Sequence, residues 1–171
     1  MIEEYSQGWP MKYRQECYFL KSKLGNLVLD IQHIGSTAIP GMRAKPIIDI
    51  MIAVKYLDDA APIHPILKEL GYSYKPELSS TERLFFRKGN PVEFHLSITQ
   101  PGDTPYWKNQ ILFRDYLISH PETGAEYEMI KLEAIKQLPD KDLDDLSLSM
   151  GYSEKKGPFI KKVIEIARKE R

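Results

Sequence analysis

The sequence predicts an α+β domain: a small mixed sheet flanked by helices, with a C-terminal helical cap. Three observations predict it. Two apolar runs, 27–34 and 47–54, flank a loop that carries Gly35-Ser36, two prolines and two cations. A hairpin signal, Lys88-Gly89-Asn90-Pro91, joins two further strand-like runs. From about residue 104 onward the apolar residues recur at helical spacing.

Taken in order, Trp9, Tyr13, Cys17, Leu20 and Leu24 fall on one helical face, with Pro10 in the first turn and Gly25-Asn26 as the stop. This places the first helix at about 8–24. Strands follow at about 27–34 and 46–54, since Pro46 can open a strand but not sit in its middle. Asp58-Asp59 starts a short helix, whose face is Ile63, Ile66, Leu67 and Leu70, and Tyr72-Ser73-Tyr74 reads as a short strand. The hairpin comes next, and its second strand alternates. Val92, Phe94, Leu96 and Ile98 go to the core, while Glu93, His95 and Ser97 share the other face. The cap has helices at about 104–119 and 122–138, separated by His120-Pro121. A short helix then runs to about 150, led by the acidic run Asp140, Asp142, Asp144 and Asp145. A last helix after Gly151-Tyr152 buries Phe159, Ile160, Val163, Ile164 and Ala167, with Lys155, Lys156, Lys161 and Lys162 on its wet side. The chain reads as one domain over 1–171, with a core at about 8–100 and a cap at about 104–171.

Composition narrows the function classes. The 171 residues suffice for one full core. Twenty-four basic and 24 acidic side chains cancel, so no global field favours general nucleic-acid binding or an acidic membrane. Cys17 alone cannot make an internal disulfide, which fits a reducing compartment. The N-terminus lacks an apolar leader, and no apolar run approaches membrane-spanning length, so a cytoplasmic protein is expected. The oligomeric state stays open, a homo-oligomer included.

Asp49 is the oddity. It stands among Ile47, Ile48, Ile50 and Ile52, where a charge is costly unless something meets it. Two readings stand: it pairs with a structural neighbour, or it holds a cation at a site. Gly35-Ser36 can turn tightly, and a helix starting at Ser36 would attract an anion. If the strand carrying Asp49 lies beside the one carrying Glu93 and His95, these three converge on one cation. Mg²⁺ prefers oxygen ligands, and Mn²⁺ or Zn²⁺ better tolerates the imidazole. Arg43, Lys45, Arg83, Arg87 and Arg114 are candidate phosphate contacts; for Arg114 an ion pair with Asp115 is the plain alternative. The loop is neither a phosphate-binding Walker loop nor a dinucleotide fingerprint. Trp107 and Tyr116 offer a different reading, a partner-binding face on the cap, which requires those rings to be exposed.

The run I-G-S-T-A-I-P-G followed by K-P-I-I-D-I, with L-F-R-D-Y-L-x-x-H-P at 112–121, the Tyr127 region, and Tyr152 with the Phe159-Ile160 helix, resembles the GrpB family. The resemblance covers nearly the whole chain. It implies a nucleotidyltransferase-like fold, and related domains are fused to dephospho-coenzyme A kinase in some bacteria. By the pattern of the wider superfamily, Gly35, Ser36 and Thr37 face a nucleoside triphosphate and Asp49 holds a metal. Lys45 or Arg43 then balances the leaving charge, and Asp49 with Glu93 serves transfer of a nucleoside monophosphate to a small-molecule acceptor. The second acid of the superfamily pattern falls on Met51, and the second of two later histidines on Ser97. Two-metal transfer needs several carboxylates. The alternative implied is therefore a catalytically weak or inactive member that binds a nucleotide, a coenzyme A-like ligand or a partner.

Overall fold

The computed structural model describes residues 2–101, 105–137 and 146–170, the last stretch with side chains from Gly151 onward. The acidic run at 140–145 and the turn at Pro139-Asp140 lie outside the described residues.

Helix α1 (Gly8–Leu24) is followed by strands β1 (Asp30–Ile34) and β2 (Ile48–Ala53), helix α2 (Ile63–Glu69), and strands β3 (Tyr72–Tyr74), β4 (Arg83–Lys88) and β5 (Phe94–Thr99). Helices α3 (Pro105–Ser119), α4 (Pro121–Lys136) and α5 (Leu146–Lys169) complete the chain. The sheet order is β1-β2-β5-β4-β3, with β2 and β5 parallel and every other pair antiparallel. It is thus the small mixed sheet the sequence predicts, inside an α+β fold. Among the described residues no helix is long and apolar enough to cross a membrane.

The sheet has two differently covered faces. Ile48, Ile50, Ile52, Leu96 and Ile98 alternate onto one face and pack under α1 and α2 with Trp9, Leu20, Leu24 and Leu67. On the other face Met51 and Ala53 meet Ile34 and Trp107 of α3. A third cluster joins α3, α4 and α5 through Phe113, Leu117, Tyr127, Phe159 and Val163, and it includes Ile39 and Met42. Those two residues come from the loop after Gly35-Ser36, so the cap is docked on the loop itself.

Three expectations need correction. Residues 146–169 form one helix rather than two. Gly151 costs about 1 kcal/mol in a helix, and burial of Tyr152 on the same helix as Phe159 outweighs that. Trp107 is buried against the sheet, and Tyr116 is half-buried and stacked on His120 at 3.8 Å. They do not form an exposed partner face. The turn after Gly35 is a single 3-10 turn, Ser36–Ala38, too short to carry a helix dipole of its own.

Candidate functional site

The site begins with strand register. Asp49 of β2 pairs directly with His95 of β5. Both side chains emerge on the face under α3, and Asp49 Oδ1 lies 3.1 Å from His95 Nδ1. This is how an isoleucine-rich strand tolerates a carboxylate. Asp49 has an imidazole partner, and its side chain keeps 35% of its exposure at the mouth of a cavity. The cavity measures about 460 Å³ and lies between this sheet face and the three cap helices.

Gly35 closes the other side of the carboxylate. Its φ of 72° is open to glycine, and a Cβ placed there would meet Asp49 Oδ2 at 2.3 Å. The loop therefore presses its backbone onto Asp49, which only a residue without a side chain permits. Behind the loop, Thr37 is buried with its Oγ1 3.0 Å from His33 Nε2. Burial pushes the His33 imidazole down to about 4, so it is neutral at ordinary pH. Its ring stacks on Tyr13 at 4.7 Å, so His33 serves as a fixed prop beneath the turn.

The far wall is cationic. Lys45, Lys131 and Lys156 line the cavity from the loop, α4 and α5. Lys131 is 1% exposed, donates to the carbonyl of Arg43, and lies 5.2 Å from the Tyr127 ring centre. Burial, with Lys156 adding to it, brings its amine down to about 7. Lys156 Nζ sits 3.9 Å from the Tyr152 ring centre. Burial lowers it to about 8, with Asp49 opposing and Lys45 assisting the shift. The Lys45 amine also lies over the Tyr152 ring, 5.0 Å from its centre. Tyr127 and Tyr152 hydroxyls are pushed up by burial, and Tyr127 also meets the Ser36 side chain. The cleft thus sets one carboxylate against several cations, an arrangement suited to a polyanion.

The family model described as GrpB protein matches residues 1–165. The chain belongs to the GrpB family. It is 30% identical over 169 residues to the glutamate-rich protein GrpB of Alkalihalophilus pseudofirmus, covering 96% of this chain and 93% of that protein. The protein YqkA of Bacillus subtilis is 36% identical over 137 residues. That match takes in 80% of this chain and 40% of YqkA, so the chain spans less than half of this relative. The crystal structure of GrpB from Enterococcus faecalis superposes with a TM-score of 0.86 at 30% identity, covering 99% of this chain and 98% of that one. A cytoplasmic RNA terminal U-transferase superposes with a TM-score of 0.53 at 12% identity, covering 75% of this chain and 39% of that one. That likeness shows the nucleotidyltransferase-like fold and nothing about activity.

Within this GrpB fold, Gly35, Ser36, Thr37, Lys45, Asp49 and His95 come together around the cavity. Glu93 does not join them. Strand β5 begins at Phe94, so Glu93 belongs to the turn, where its amide donates to the Lys88 carbonyl at 2.9 Å. Released from strand alternation, its carboxylate pairs with Lys12 of α1. Arg43 is also absent from the cavity lining: Glu128 of α4 accepts from its Nε and from its backbone amide, each at 2.7 Å. Arg114 pairs with Asp115 at 2.8 Å and donates to Gln32 Oε1 and the His33 carbonyl at 2.9 Å each. Both arginines fasten the cap to the sheet domain and do not reach the cleft.

Met51 lies in the core, fully buried under Trp107. Among the described residues no three acidic, histidine or cysteine side chains gather to hold a metal. Asp49 and His95 do not suffice for an ion pair of the two-metal kind. One carboxylate does suit a single Mg²⁺ that keeps its remaining ligands from water and phosphate.

Lys131 and Lys156 are not expected in the site from sequence, where Lys156 falls on the wet side of the last helix. A signal was present. Tyr127 and Lys131, and again Tyr152 and Lys156, stand four apart, so each lysine shares a face with a tyrosine of the apolar stripe. The two cap helices present the same tyrosine-lysine pair to the cleft.

Proposed function

We propose that the cleft binds a nucleoside triphosphate, with the phosphates between the Gly35-Ser36 turn and the amines of Lys45 and Lys156. One observation carries this reading: the loop backbone is pressed against Asp49, and cationic side chains line the cavity beside that lone carboxylate. Asp49 would hold one Mg²⁺ or Mn²⁺ arriving on the phosphates. Such an ion supplies charge neutralisation; the lysines contribute the rest of that neutralisation from the protein. Lys131 acts at the base of the wall, holding the Arg43 carbonyl and adding charge behind Lys156.

Transfer of the nucleoside monophosphate to a small-molecule acceptor is the second reading, favoured by the Asp49–His95 pair. With Nδ1–H donated to Asp49, His95 Nε2 is left as an acceptor for a hydroxyl proton. Positioning and charge neutralisation would then supply the catalysis, as in phosphoryl transfer generally.

Calorimetric titration with each nucleoside triphosphate, with and without Mg²⁺ or Mn²⁺, tests the first reading. Saturable binding to at least one triphosphate is expected; no heat at millimolar ligand in any combination rejects it. Pyrophosphate release across a panel of alcohols and amines tests the second. Triphosphate binding with no release from any acceptor leaves the domain a nucleotide-binding module.

A further inference from the structure

The cleft has a second cationic side. Arg83, Phe85 and Arg87 alternate onto the cavity face of β4. The two arginines are used differently. Arg83 is a strut: it donates to Ser97 Oγ at 3.3 Å, to the Tyr106 hydroxyl at 3.0 Å and to the Leu78 carbonyl at 3.2 Å. Its guanidinium also lies over the rings of Phe85 and Tyr106. Arg87 makes none of these hydrogen bonds among the described residues; its guanidinium only lies 6.0 Å from the Phe85 ring centre. Its Nε is buried and, among the described residues, meets no hydrogen-bond acceptor. Arg87 as a whole is half-buried and lines the cavity, and a negatively charged oxygen is the natural partner of its unpaired guanidinium.

Register places this group relative to the phosphate site. Arg87 lies opposite His95, and His95 lies opposite Asp49. With strands about 4.8 Å apart, the Arg87 backbone is roughly 10 Å from that of Asp49. His95 stands between them, its ring 5.1 Å from that of Phe85. Lys156 couples electrostatically to Asp49 and Lys45, so the lysines gather around the carboxylate while Arg87 stands two strands away.

We infer that Arg87 forms a second anion subsite, which takes a phosphate borne on the sugar of a nucleotide whose phosphoanhydride chain lies at Gly35-Ser36. The ligand class is a nucleotide phosphorylated at two separate positions. The strand spacing sets a span of roughly 10 Å between the two backbones, a length one nucleoside covers. Phe85, whose ring lies under both guanidinium groups, adds an apolar surface beside His95. The inference rests on the reading of the cleft as a nucleotide-phosphate site and adds a requirement to it.

Coenzyme A and dephospho-coenzyme A are suitable probes because they differ by one ribose phosphate. Binding of each to the whole chain is measured by calorimetry, with ATP as the test of the underlying reading. The expected result is about tenfold tighter binding of coenzyme A, the scale of one charge-assisted hydrogen-bonded group. Arg87→Gln is expected to bring that ratio to about one while changing ATP affinity less than twofold. Equal affinity for the two probes in the unaltered protein, with ATP bound, overturns the second subsite and leaves the first reading standing. Equal losses for coenzyme A, dephospho-coenzyme A and ATP in Arg87→Gln overturn it as well. Failure of all three ligands to bind rejects both readings. The ratio in the unaltered protein decides the matter even if the variant does not fold.

Discussion

The strand wall and the helical wall of the cleft hold their functional groups by different means. On the strand wall, backbone geometry does the placing. The parallel register of β2 and β5 sets Asp49 against His95, and the positive φ of Gly35 lets the loop close on the carboxylate. On the helical wall, side-chain packing does it. Lys131 and Lys156 reach the cavity because α4 and α5 bury Tyr127 and Tyr152 on the same faces. The first wall has little conformational freedom. The second carries amines lowered to about 7 and about 8, so its charge depends on pH and on what is bound.

The largest break in this contrast should come from Gly35→Ala. The new Cβ would fall 2.3 Å from Asp49 Oδ2, and the backbone at φ 72° would be strained for any L side chain. A loss of about 2–4 kcal/mol in stability is expected from strain and clash together. Denaturant unfolding measures it. A loss below about 0.5 kcal/mol would mean that the loop is not held against Asp49 in solution.

Lys156→Gln addresses the helical wall and should act on binding more than on folding. Removing one cation from a phosphate site is expected to weaken triphosphate binding about tenfold. Little change in the denaturation midpoint should accompany this, because burial already disfavours the charged amine. Unchanged affinity would move the phosphates away from this wall.

Titration sharpens the contrast further. A bound polyanion favours the protonated lysines, so binding takes up protons and affinity should fall severalfold between about pH 7 and about pH 9. Stability of the free protein should move the other way. Both amines sit below their ordinary value of 10.5, so across that window the unfolded chain holds more protons than the folded one. Stability therefore rises as pH increases from about 7 toward 10.5. Lys156→Arg keeps its charge throughout and should remove the part of the affinity loss centred near pH 8. The same loss in that variant would trace it to a different group.

The two walls also differ in how much of them the sequence disclosed. Strand periodicity and the Gly-Ser turn located Gly35, Asp49 and His95, because in a strand the face of a side chain follows from its parity. The same rule failed at Glu93, where the strand had not yet begun and the turn redirected the carboxylate to Lys12. On helices a lysine beside an apolar stripe reads as solvated. Its long stem can as well run along a tyrosine and carry the amine inward, and only the docking of α4 and α5 on the loop decides between these. For the arginines, sequence gives the charge but not the partner. Glu128, 85 residues from Arg43 in the chain, claims that guanidinium.

Arg43 gives the smallest expected effect and the cleanest discrimination between a tie and a ligand. It stands two residues before Lys45, in the loop that makes the phosphate side of the cleft, and from sequence the two cations look equivalent. In the fold the Arg43 side chain keeps 39% of its exposure, and Glu128 keeps a second bond to the Arg43 backbone amide. Arg43→Ala therefore removes a half-exposed ion pair while the loop stays attached through the main chain. A loss of about 0–1 kcal/mol in stability is expected, with triphosphate affinity within about twofold of the unaltered protein. A tenfold loss of affinity without destabilisation would instead mean that the guanidinium leaves Glu128 for the phosphates, and the cation on the loop that matters would be Arg43 as well as Lys45.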